Sequence, residues 1–395
     1  MLGSIYIGMS GLNAYTKGLQ TISNNVANLN TSGFKAASVR FTDVFSTGGG
    51  GLTFSSGSGP GQGGGGVRMA EPSTDFRQGD LRQSGGDLDL AIKGSGMLVL
   101  KDGDKTYYAR TGQFSVDEEG FISLQGTKYH LAVLDGSRQA ATLNIDAKRT
   151  SKPVATTKIA FADNLSSTGA EHTLSNMAVY DASGGRHLWT VKLKAAATPG
   201  EWDVTVTDDL GATLKTSKLK FIGSVVDAST AKIDVTQTVA GFDPLTVKLD
   251  FSSGVTSYSS GTISSLRNAS TDGNGVGNLT SVTIDEEGRV KLTYSNTKTE
   301  TLGAVAMADF RDPQGLTSVG GGLYESRDGG QVRLLPSGED GAGTLVAQQI
   351  EASNVNLAEE FGELILVQRG FQASSQVVSI ANDMIQQLFS IRGQG

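Results

Sequence analysis

The sequence predicts a mainly β fold with terminal α-helices, in which the N- and C-terminal helices pair as a coiled coil and a second β-domain is inserted in the first. Three observations predict it. Apolar residues recur at heptad spacing at both ends of the chain and nowhere between. Period-two runs bounded by Gly, Asp and Asn fill the middle. A short acidic hairpin motif occurs twice, its copies 168 residues apart.

At the N-terminus Ile5, Leu12, Leu19 and Val26 recur every seventh position. Tyr15, Ile22 and Leu29 follow the last three of these by three residues, and Gly8 takes the corresponding first place. This is the a/d stripe that helices turn toward one another. Asn28, Asn30, Ser32 and Gly33 supply the stop. At the C-terminus Asn356 with Glu359 reads as a helix cap. Leu357, Leu364, Val367, Phe371, Val378, Ala381, Ile385 and Leu388 then form a second stripe, interrupted at Glu360 and Ser374. A single such stripe serves equally well to pack a helix on its own domain. Two at opposite ends, each marginal as an isolated helix, point to pairing with each other and then with neighbouring copies. These residues are therefore the candidate polymerisation seams.

Residues 46–66 hold eleven glycines and read as a flexible connector. Strands are predicted at Leu88–Ile92, Met97–Leu100, Tyr107–Arg110, Phe114–Val116 and Phe121–Leu124. The repeated motif, Ser115–Ile122 and Thr283–Val290, carries Asp-Glu-Glu-Gly in both copies, a hairpin turned on an acidic loop. Between the copies a further series runs Met177–Tyr180, Leu188–Leu193, Trp202–Thr207, Leu219–Ile222, Lys232–Thr236 and Leu245–Phe251. The layout expected is a terminal helical domain (1–34 with 356–395), a connector (35–70), a discontinuous β-domain (71–146 with 281–355) and an inserted outer β-domain (147–280).

Composition removes most chemistry. Net charge is −7 with no basic stripe, which speaks against nucleic-acid binding. There is no cysteine, hence no thiolate, disulfide or Cys-type zinc site, and the three histidines are scattered. No window approaches the ~18 apolar residues of a membrane span, and the N-terminus lacks the basic and apolar regions of a cleaved signal. Gly59–Gly64 fits a dinucleotide fingerprint by letter but has no helix to follow. Asp272–Gly277 resembles a calcium loop, yet Val276 stands where an oxygen ligand is needed. The acids 117–119 and 285–287 read as solvated turns, Glu359 and Glu360 as dipole partners of a helix, Trp189 and Trp202 as core, and Lys215, Lys218 and Lys220 as one strand face. No catalytic, metal or cofactor site is expected, and no enzyme.

Ser10–Ala14, Ile22–Asn28 and Asn30–Lys35 closely resemble the N-terminal signature of the flagellar rod and hook proteins. Gln78-Gly79, Leu90–Gly96, Tyr108–Phe114, Ser353–Leu357 and Gln368–Ala373 continue the likeness, with Met97-Leu98 where an aromatic pair is usual. Ala178–Asp181 with Gly184, Gly185 and His187, Asp272–Leu279, Tyr294–Asn296, Ala308–Phe310 and Pro313–Leu316 resemble the hook branch; Thr297 stands where that branch commonly has Gly. The resemblance implies a structural subunit that polymerises into a curved, flexible tube joining rod to filament and transmitting motor torque. It implies as partners the chain itself, the distal rod protein, the hook cap protein, the hook–filament junction proteins and the flagellar type III export apparatus, with no nucleic acid and no membrane insertion. It implies an extracellular hook reached without a cleaved signal, and terminal helices that order on assembly. A distal rod protein is the alternative within the class. A secreted β-rich adhesin or carbohydrate-active protein is the alternative outside it.

Overall fold

Two helices bracket the chain, where the heptad stripes predict them: α1 (Leu2–Ala27) and α2 (Leu357–Arg392). The computed structural model describes residues 2–43, 66–238, 243–326 and 332–392. The glycine-rich segment 46–66, apart from Gly66, lies outside them. Asparagine ends α1: the Asn28 side chain turns back on the Asn24 carbonyl at 2.9 Å, and Gly33 follows at φ 71°. Leu29, counted in the N-terminal stripe, therefore lies past the helix, in this turn. α2 opens on Asn356, whose Oδ1 accepts from the Ala358 amide at 3.0 Å and satisfies one free donor of the first turn.

Everything between is β. The chain packs as two units, Met1–Asp146 with Val282–Lys291 and Thr301–Gly395, and Ala147–Ser281 with Leu292–Glu300. In the first unit a twelve-stranded sheet runs in the order 316–320, 323–326, 105–109, 97–102, 130–134, 122–124, 111–116, 89–93, 344–347, with three further strands paired off this path. Leu90–Ile92 and Met97–Leu100 are buried on both faces, which is why their sequences are runs of apolar residues and not alternations. Met97, Val99, Tyr108, Ala132, Ala306, Ala308, Leu316 and Tyr324 form a core there.

In the second unit a ten-stranded sheet runs 171–180, 186–195, 201–207, 213–222, 225–226, 255–256, 158–164, 245–250, 232–237, with 267–271 paired beside 158–164. Its strands alternate in burial, as at Glu201–Thr207 and Lys232–Gln237, so one face makes a core and the other meets water. Trp189 and Trp202 are core residues, 0% and 2% exposed, and Phe161 stacks on Phe251 at 4.3 Å. The Trp189 ring N–H donates to Gln237 Oε1 at 2.7 Å, so its one polar group is satisfied.

The two acidic motifs fold alike. In one, the Asp117 amide donates to the Phe121 carbonyl and Asp117 Oδ1 accepts from the Phe121 amide at 2.8 Å. In the other, Asp285 and Arg289 repeat both bonds, the second at 2.7 Å. Gly120 and Gly288 close the turns at φ 84° and 77°. The repeated acid is thus a turn pin, engaged by backbone.

Candidate assembly site

The heptad stripes meet. α1 and α2 run antiparallel, with Asn25 Nδ2 donating to Glu360 Oε1 at 2.8 Å near the base of the pair. Going up α1, Gly18 stands against Val367, Tyr15 covers Gly370, Gly11 meets Ser374 and Gly8 meets Val378. A Cβ on Gly370 would lie 2.4 Å from the Tyr15 ring, and one on Gly8 would lie 2.6 Å from Val378. The buried line of α1 is Gly8, Gly11, Ala14, Gly18, Ile22 and Asn25. Small residues let the helix axes approach closely, because the side chains at the contact set the spacing.

The predicted seam residues sit around this line. Ile22 is buried; Ile5, Leu12, Tyr15, Leu19, Val26 and Leu29 are half-buried. On α2, Val367 and Ala381 are buried and Leu364, Val378 and Ile385 half-buried, while Leu357, Phe371 and Leu388 are exposed. A heptad count weighs apolar bulk, so it flanked the glycine line without finding it. Gly8, taken as a gap in the stripe, is part of the contact.

Pairing leaves much apolar surface uncovered. Phe361, Ile365, Leu366, Val377, Ile380, Met384, Leu388 and Phe389 on α2 are all exposed, Leu366 by 69% and Phe389 by 70%. Tyr6, Ile7 and Met9 on α1 are exposed as well. Apolar side chains exposed at this density are unusual on a surface left to water.

Beneath the pair is a buried ionic clasp that sequence reasoning missed. Glu351, fully buried, receives Lys35 Nζ at 2.5 Å, Arg110 Nε at 3.2 Å and the Gly79 amide at 2.8 Å. Lys35 also donates to the Arg77 carbonyl at 2.6 Å, and Arg110 to the Gly96 and Ile92 carbonyls at 2.5 and 3.2 Å. Burial lowers the Lys35 pKa, against the pull of Glu351, and burial followed by the Glu351 charge pushes the Tyr324 hydroxyl up. Asn354 adds a polar bridge: its Oδ1 accepts from the Ala36 amide at 2.8 Å and its Nδ2 donates to the Asp75 and Arg77 carbonyls. Lys35, Gly79, Arg110 and Asn354 all belong to the motifs that carry the family resemblance. Lys35 and Arg110, charged residues inside two of those motifs, were the available signal.

The candidate chemistry resolves into structure. Asp272, from the calcium-like loop, accepts from the Thr157 amide and hydroxyl at 2.9 and 2.6 Å and from the Lys158 amide at 3.0 Å. The Ser123 hydroxyl lies between Asp117 at 2.5 Å and His130 Nδ1 at 2.8 Å. In a nucleophilic relay the histidine stands between serine and acid; here the serine does. The fingerprint at 59–64 lies outside the described residues, among which no cluster of potential metal ligands occurs.

Family models match both ends: residues 5–35 fit the flagella basal body rod protein model, and 346–391 the flagellar basal body rod FlgEFG protein C-terminal model. Over its whole length the chain is similar to the flagellar hook protein FlgE of Treponema pallidum, at 28% identity across 99% of this chain and 100% of that one. It is similarly related to the flagellar hook protein FlgE of Escherichia coli, at 28% identity across 97% of this chain and 98% of that one. A weaker structural likeness, at TM-score 0.47 and 15% identity, is to the Helicobacter pylori flagellar hook protein FlgE2, covering 70% of this chain and all of that one. Terminal helices at the matched ends and full-length similarity through the β-rich middle coincide: the chain is similar to flagellar basal body rod proteins at its two ends and to flagellar hook proteins along its length.

Proposed function

We infer that the chain is a structural subunit of the flagellar hook and that it polymerises with itself. One observation carries the mechanism: a paired helix base whose outer side chains, from Phe361 to Phe389, stay apolar and uncovered. Identical subunits in a tube make heterologous contacts that repeat without closing, and such contacts need surface that the single subunit leaves free. The predicted seam residues and the exposed ones beside them are the proposed polymerisation surface. The β units would carry torque along the tube and slide as it bends. Similarity to the flagellar hook proteins further suggests contacts with the distal rod protein, the cap and the junction proteins, delivery by the flagellar export apparatus without a cleaved signal, and an extracellular place. A role as an enzyme has no support in the residues described.

Electron microscopy of a strain lacking the gene tests the reading. Rods that persist while hooks and filaments vanish are expected. Truncated rods would move the assignment to the distal rod protein, and intact hooks would remove it from the axis.

A further inference from the structure

Residues 28–43 form an arm that leads from α1 into the first unit, and they pack thinly. Their short strands, Ala37–Ser38 and Phe41–Asp43, pair with Ser73–Thr74 and Val67–Met69 as two-stranded ribbons outside the twelve-stranded sheet. Among the described residues between Asn25 and Leu88, one side chain alone is buried, and it is that of Lys35. A lysine is almost never fully buried unless it is paired. The arm is thus anchored by a charge, where an apolar side chain would be the ordinary choice.

The socket that receives Lys35 is complete without it. Glu351 ends the strand Gln349–Glu351, which pairs with Leu81–Gln83. Its Oε1 accepts from the Gly79 amide and its Oε2 from Arg110 Nε. With Lys35 withdrawn, both oxygens keep a donor and the carboxylate keeps a cation. Arg110 is held in turn by the Gly96 and Ile92 carbonyls. Lys35 therefore enters as a second cation on one carboxylate, with the Arg77 carbonyl accepting from it as well. Polar bonds flank it: the Gly33 amide donates to the Glu351 carbonyl and the Ala36 amide to Asn354 Oδ1, both at 2.8 Å. An ammonium that leaves such a socket returns to water, whereas an apolar anchor would leave exposed surface behind. Buried ion pairs add little net stability, and fixing register is their best-attested use.

We propose that Lys35 is an assembly plug: the Arg110–Glu351 bond forms as the subunit folds, and the Lys35–Glu351 bond closes only when the N-terminal arm docks in the polymer. The two halves of one ionic cluster are then made at different times. The first completes the free subunit, and the second sets the arm in a single register on a surface already finished. The proposal rests on the reading of the chain as a polymerising subunit, and it names the side chain that fixes the arm.

Amine labelling of the full-length chain, read residue by residue by mass spectrometry, tests it. In the free subunit Lys35 is expected to react as fast as the exposed Lys105, and in the polymer at least about tenfold more slowly. A Lys35 protected in the free subunit, or reactive in the polymer, overturns the proposal. Lys35→Glu sets like charges against each other in the socket. It should leave hydrogen-exchange protection of peptides from 97–134 unchanged in the free subunit and raise the concentration needed for polymerisation at least about tenfold. Arg110→Met, which strips Glu351 of its folding partner, should lower that protection in the free subunit. Protection lowered as far by Lys35→Glu as by Arg110→Met, or polymerisation of Lys35→Glu at the parental concentration, also overturns it. A parent chain that forms no polymer overturns the hook reading itself, an outcome distinct from the failure of one variant.

Discussion

Thr297 carries a strain that its neighbours impose. It sits at φ 63°, a left-handed conformation that a β-branched residue rarely adopts. Its amide donates to the Tyr294 carbonyl at 2.9 Å, and the Tyr294 amide bonds Lys298 across the turn. The family resemblance leads one to expect glycine here, and the geometry is one that glycine takes without cost. Thr297→Gly should therefore raise stability by about 1 kcal/mol, read as a higher denaturant midpoint, and a lower midpoint would contradict the strain. Asp181 shows how the aspartate pins work. Burial alone raises its pKa, but the Ser183 hydroxyl, His187 and the Gly185 and Ser183 amides outweigh that and hold it at about 2. Because the folded pKa is depressed, the stabilisation is present above the unfolded value of 3.8 and lost as pH falls toward about 2. Asp181→Asn should lower stability at neutral pH by on the order of 1–3 kcal/mol and blunt the loss on acidification. A variant with the full acid response of the parent would assign that response to other groups.

At the scale of elements, α1 and α2 show what a sequence conveys and what it conceals. Helix extents were legible because asparagine caps are local chemistry, at Asn28 and Asn356. Strands were legible where burial alternates, as at Trp202–Thr207, or where both faces are covered, as at Met97–Leu100. The helix contact itself was hidden, since Gly8, Gly11 and Gly18 contribute nothing to an apolar pattern and only a partner reveals their use. Two glycines of α2 separate the effects. Gly370→Ala drives a methyl into Tyr15 and should cost about 1–3 kcal/mol of helix-pair stability. Gly362→Ala meets nothing within 4 Å and should gain about 0.5–1 kcal/mol from helix propensity. Far-UV circular dichroism against temperature measures both; equal effects would mean that the pair does not form as described.

For the whole molecule, the uncovered face of α2 is the feature that assembly has to satisfy. Leu366→Glu and Phe389→Glu place charge at positions 69% and 70% exposed, so the subunit should fold unchanged. Polymerisation, followed by sedimentation and electron microscopy, should be lost. Wild-type polymers from both variants would place the contact elsewhere. The clasp was beyond sequence reading for a reason of distance: Lys35 and Glu351 are 316 positions apart, Arg110 and Glu351 241. Lys35 and Arg110 were visible in their own motifs, Glu351 lay just outside the motif at Ser353–Leu357, and nothing in one segment names the other.

That separation also dictates an order in time. A chain delivered one end first exposes Lys35 and Arg110 long before Glu351 arrives to neutralise them. Contacts this far apart along the chain are slow to form and close late. The unit completed at Glu300 can mature first, whereas the unit that owns the clasp must wait for almost the last segment of its own chain. The unit that holds the clasp is therefore expected to complete its fold last.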